Sequence, residues 1–289
     1  MGAGSQRDGW PLPQTSLAHR SIQCRPSPSR TRRSTVTTSL IAFEVAGLDW
    51  RLALLCVVTI TAGAAVQATI GFGMAVLAAP LLGLIDPGFL PVATLLMGLP
   101  LSIGVARRER QYVAWDDVAT ATLGRLPGVV LGSWVVATTG ATAIRLIVGL
   151  SVLTAIVVSV TGFKVSTTRR SLIIAGLASG FSGTAAGVGG PPMAVAYQHS
   201  HPATTRATLG VFFGIGTVIS FLGLLAAGEV HLRQMQLSAL LLPGVLLGLA
   251  LSGPLVSRLP PERVRAALLC LSLVSASALL IETIIEMFT

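Results

Sequence analysis

The stretch from residue 52 to residue 85 is apolar almost without interruption, and it is too long to cross a lipid bilayer once. As a straight helix at 1.5 Å per residue it would reach roughly 50 Å, against a hydrocarbon core of about 30 Å. It must tilt strongly, break or turn back. Gly71, Gly73 and Pro80, in its second half, offer the break. Further apolar runs lie at 89–106, 117–138, 143–162, 171–198, 207–227, 236–256 and 264–285, and the run 171–198 is interrupted between Gly187 and Pro192. About eight transmembrane segments follow, two of them discontinuous, in an all-α polytopic membrane protein.

Composition agrees: 52% of the 289 residues are hydrophobic and 11% charged, against about 25% charged in soluble domains. The net charge of +9 is no nucleic-acid signal. Six arginines (Arg7, Arg20, Arg25, Arg30, Arg32 and Arg33) sit in a Ser-, Pro- and Arg-rich segment over 1–43, and most others lie between apolar runs. That segment lacks the apolar content to fold and is expected to be a disordered extension. Counting eight crossings, the loop charges and this tail place both termini in the cytoplasm. Cys24, Cys56 and Cys270 are far apart and form no CxxC pair, so nothing argues for a metal, a cofactor or a redox relay.

The second half repeats the first at a spacing of 116 residues. Gly71 matches Gly187, Gly73 matches Gly189, and Gly98 matches Gly214. Pro127-Gly128-Val129 with Leu131 and Gly132 matches Pro243-Gly244-Val245 with Leu247 and Gly248. Two tandem four-helix repeats are expected, 44–166 and 167–289, each opening on a broken helix. Two similar halves leave a seam near the bilayer midplane, where transporters built this way hold substrate. Whether the halves run parallel or inverted depends on whether each broken segment crosses once or twice.

The breaks carry the chemistry. The first is Gln67-Ala68-Thr69-Ile70-Gly71-Phe72-Gly73-Met74; the second runs from Gly180 through Ser182, Gly183, Thr184, Gly187, Val188, Gly189, Gly190, Pro191 and Pro192 to Met193. Unwound backbone at membrane depth is tolerated where it is buried or lines a cavity. Helices restarting near Met74 and Pro191 would aim their N-terminal amides at the breaks, and helix N-termini favour anions. For Gly98, Gly128, Gly132, Gly214, Gly244 and Gly248, close helix packing is the simpler role.

These two glycine-rich motifs, GFGMAVLAAPLL and GVGGPPMAVAY, resemble those of the sulfite exporter TauE/SafE family, also called the toluene sulfonate uptake permease family. The resemblance covers about residues 45–286. Met74 stands where the family's first motif commonly has a third glycine. The resemblance implies a multi-pass permease of the cell inner (plasma) membrane that carries sulfite, a sulfonate or a related organosulfur anion.

Arg125, eight residues into the third run, could balance an anion, snorkel, or pair with Asp116 or Asp117. Gln67, Thr69, Ser182 and Thr184 could donate to an oxyanion, although hydroxyls in helices often bond their own carbonyls. Tyr197, Gln198, His199 and His201 fall near a membrane end and are expected in a solvated loop.

A secondary permease for a small anion, with proton or sodium as a conceivable coupling ion, is therefore the leading expectation. A Walker A motif is missing, and so are HExxH, GxSxG and an intramembrane aspartate pair. An enzyme is disfavoured on that ground; a non-transporting membrane subunit or assembly factor is the alternative.

Overall fold

A computed structural model of the chain describes residues 44–45, 47–161, 165–256 and 261–288. The extension over 1–43 lies outside the described residues. Among the described residues, a two-residue β ladder, β1 (Glu44–Val45) with β2 (Leu48–Asp49), precedes ten helices. They are α1 (Trp50–Ile70), α2 (Met74–Ile85), α3 (Val92–Glu109), α4 (Trp115–Thr138) and α5 (Ala141–Thr161), then α6 (Arg169–Ala186), α7 (Gly190–Ala196), α8 (Pro202–Ala226), α9 (Leu232–Val256) and α10 (Pro261–Phe288).

Local chemistry sets the boundaries. Asp49 caps α1 by accepting from the Arg51 amide, and Thr168 with Ser171 forms a capping box on α6. Both helices stop at a left-handed glycine: Gly71 at φ 103° after α1, Gly187 at φ 72° after α6. Only glycine takes that conformation without a Cβ penalty. The stops are 116 residues apart, as are the restarts at Met74 and Gly190.

Each break is the tip of a hairpin. Arg233, in the first turn of α9, pairs with Asp86 just after α2 and lies 3.5 Å from the Cβ position of Gly47, just before α1. The start of α1 and the end of α2 therefore share one end of the bundle. In the second half the Thr167 hydroxyl, before α6, donates to the Ala196 carbonyl at the end of α7 (2.7 Å). The long run 52–85 thus turns back.

These hairpins open at opposite ends. Helix α3 starts six residues after Asp86 and finishes at Glu109, which binds Arg206 near the start of α8 at 2.9 Å. That second end also holds Asp117, which accepts from the Tyr197 hydroxyl at 2.8 Å. Arg145 at the start of α5 meets Glu286 at the end of α10 (2.6 Å), so these two helices are antiparallel. Taken in chain order, α6 to α10 run opposite to α1 to α5.

The halves interlock. The most extensive contacts cross between them: α4 on α6, α1 on α9, α3 on α8, α5 on α10. Glycines make the close approaches. A Cβ on Gly128 would strike the Leu177 carbonyl, and one on Gly176 the Ala121 carbonyl, so α4 and α6 meet backbone to backbone. Gly244 and Gly248 do the same for α9 on α1. Gly132, against Thr184, has the expected packing role as well.

Among the described residues, five helices are long and apolar enough to cross a membrane by length and composition: α1, α5, α8, and the parts of α9 and α10 over Leu232–Gly253 and Ala266–Phe288. The count falls short of the expected eight because α3, α4 and α6 carry charge. Arg107, Arg108 and Glu109 end α3, Asp116, Asp117 and Arg125 lie in α4, and Arg169 and Arg170 begin α6.

Candidate functional site

The tips of the two hairpins meet. The Cβ position of Gly190 lies 3.4 Å from the Phe72 Cβ and 3.9 Å from the Gly73 nitrogen. A small cavity of about 40 Å³ sits between them. At about 10–15 Å³ per water it has room for a few waters. Of the residues expected from sequence, Gln67, Gly73, Met74, Arg125, Gly183, Gly187, Gly189 and Gly190 line it. Thr94, Gly98, Phe213 and Thr217 complete much of the wall and were not expected there.

Arg125 is the charge in this site. It is 2% exposed, so it does not snorkel, and it pairs with neither Asp116 nor Asp117. Its Nη1 donates to Ser179 Oγ (3.1 Å) and its Nη2 to Ser220 Oγ (3.2 Å). The guanidinium carbon stands 5.1 Å from the centroid of the Phe212 ring, a cation–π contact. Nε is buried with no hydrogen-bond partner. Thr184 Oγ1 donates to Ser220 Oγ at 2.8 Å, and Ser179 Oγ donates to the Gly189 carbonyl at 2.6 Å, which ties the cation's cradle to the second break.

Glycines make room for the cation. A Cβ on Gly216 would overlap the guanidinium, one on Gly183 would lie 3.0 Å from Nη2, and one on Gly180 3.0 Å from Cγ. Gln67 acts on the other break: its Oε1 accepts from the Met74 amide (3.1 Å) and so caps the first turn of α2.

Several expected residues lie elsewhere. Thr69 donates to the Ala65 carbonyl (2.7 Å) and Ser182 to the Ala178 carbonyl (2.8 Å). A hydroxyl has one hydrogen, so neither has a donor left for an anion. Gly71 packs against the Arg206 backbone. Phe72 packs on the cluster containing Met193, Tyr197 and Phe212. Ser182, Val188, Pro191 and Pro192 line a second, apolar groove of about 710 Å³ beside α5. Gly98, expected to be a packing residue, faces Thr217 Oγ1 across the cavity wall (3.1 Å to its Cβ position). Tyr197, expected in a solvated loop, is buried on Asp117.

Among the described residues no group of three or more His, Cys, Asp or Glu is placed to hold a metal ion. Broken hairpins that meet at a cavity beside a buried cation are an arrangement that membrane solute carriers use. The family model for the sulfite exporter TauE/SafE matches residues 54–279, and the chain belongs to that family. No curated protein and no solved structure matches the chain.

Proposed function

We propose that this protein is a secondary permease for a small anion, with sulfite or a small sulfonate as its cargo. One observation carries the proposal: Arg125, fully buried and bonded only to neutral partners, lines the cavity where the two helix breaks meet. A buried charge is costly unless paired, and an anion in that cavity would pair it. Backbone of the second break, with Thr94 and Thr217, would supply further polar contacts. The site residues we propose are Gln67, Gly73, Met74, Arg125, Gly183, Gly187, Gly189 and Gly190, with Thr184 acting through Ser220. Gly71 shapes the first break. The protein serves as a carrier rather than an enzyme.

Purified protein in lipid vesicles should take up radiolabelled sulfite, and Gly189→Leu should stop it by filling the cavity. Sulfite uptake unchanged in a folded Gly189→Leu variant would remove the cavity from the transport path.

A plasma-membrane location fits this role. Among the described residues, one end of the bundle carries Arg107, Arg108, Arg110, Arg169, Arg170 and Arg206, and the other Arg51, Arg145 and Arg233. We place the richer end in the cytosol. The start of α1 then faces outward, the reverse of the orientation expected from eight crossings. That expectation drew on the arginines of residues 1–43, outside the described residues. Single cysteines at Arg110 and Glu229, labelled from outside intact cells, test this: the label should reach position 229 and spare 110, and the opposite pattern would reverse the assignment.

A further inference from the structure

We propose that the carrier works by exchange, binding an anion on each leg of its cycle rather than returning empty. This rests on the permease reading and adds the transport mode. The argument starts from what surrounds Arg125. Everything described that touches its guanidinium is neutral: Ser179 from α6, Ser220 and the Phe212 ring from α8, and the bare faces of Gly183 and Gly216. Among the described residues, the cavity wall beside it contains no carboxylate. Asp117 is engaged by the Tyr197 hydroxyl and Glu109 by Arg206, both at one end of the bundle. Nε has no partner at all.

Alternating access requires the cavity to close on both sides before it opens on the other. With the cavity empty, that closed state would enclose an uncompensated cation in a low-dielectric interior, whose desolvation two serine dipoles offset only in part. A bound monoanion turns the same state into a neutral, hydrogen-bonded pair. The empty carrier is therefore held back, and the loaded carrier passes. Exchange of one monoanion for another also moves no net charge, because the two transported charges cancel.

Vesicles containing the full chain, loaded with radiolabelled sulfite, provide the test, with the membrane potential clamped by potassium and valinomycin. Efflux is measured into sulfite and into gluconate, a bulky anion that the cavity cannot hold. Efflux into sulfite should be at least about tenfold faster. A tenfold ratio needs a barrier difference of only about 1.4 kcal/mol. Equal rates would overturn exchange and leave the permease reading standing. No sulfite movement in either medium would overturn both. Stimulation by external sulfite that persisted in Arg125→Gln would overturn the assignment to this cation.

Discussion

The breaks at 71–73 and 187–189 lie 116 residues apart in the chain and do different work. Both helices end on a left-handed glycine and both restart three residues later. The backbone then diverges. Gly73 has φ 120°, whereas Gly189 has φ −89°, which any residue can adopt. Gln67 caps the first restart, and its counterpart at the repeat spacing is Gly183, whose missing side chain admits the Arg125 guanidinium. Arg125 itself corresponds to Leu241, which is fully buried. The hydroxyls of its network, Ser179, Thr184 and Ser220, correspond to Gly63, Ala68 and Gly104. One backbone plan thus yields a first break capped by Gln67 and a second break whose helix cradles Arg125 of the first half, both lining one cavity. The flanks differ as well: Leu268 of α10 lies 3.3 Å from the Cβ position of Gly73, while a groove lies beside α7.

This contrast can be broken by making each half resemble the other. Leu241→Arg has the largest expected effect. It places a cation where the first half supplies glycine and alanine instead of hydroxyls, and should cost about 2.5–3.5 kcal/mol. Thermal unfolding in detergent measures it, and a variant as stable as the wild type would show that the hydroxyls do not decide where a buried arginine is tolerated. Gly183→Gln comes next. It gives the second half the first half's amide and displaces the guanidinium, so sulfite flux should fall roughly a hundredfold. The reciprocal Gln67→Gly loses one hydrogen bond on the Met74 amide, worth about 1 kcal/mol, and should lower flux by less than about tenfold. Equal effects from the two exchanges would erase the contrast.

Smaller effects sharpen the shared part of the plan. Gly71→Ala and Gly187→Ala each force a Cβ into the left-handed region, at about 1–2 kcal/mol. The loss should be greater at Gly187, where the new Cβ would also meet Thr94 Oγ1. Denaturation curves of the pair settle the order. Thr69→Ala and Ser182→Ala remove only bonds to their own helices, and flux should stay within about twofold.

Much of the scaffold was legible in the sequence, because glycine clusters in an apolar run have few uses other than a break or a close approach. Gly71 and Gly187 mark the two helix ends, and the block around Gly128 and Gly244 marks two backbone-to-backbone contacts. Chain direction was not legible. Apolar runs carry no arrow, and only contacts such as Arg233 with Asp86 and Thr167 with Ala196 reveal that the broken segments fold back. Arg125 stood out as a charge inside an apolar run. Its cradle did not, since Ser179 and Ser220 look like any serine that bonds its own helix. Gly98 and Gly214 form an equivalent pair, yet only Gly98 lines the cavity, a distinction that spacing alone does not carry.

The central claim is that Arg125 is the group that holds the transported anion. Arg125→Met keeps an unbranched side chain of similar reach and removes the charge. Sulfite uptake by vesicles containing this variant, its fold checked by size exclusion, tests the claim most directly. A fall of roughly a hundredfold or more is the predicted result; uptake within about twofold of the wild type would contradict it.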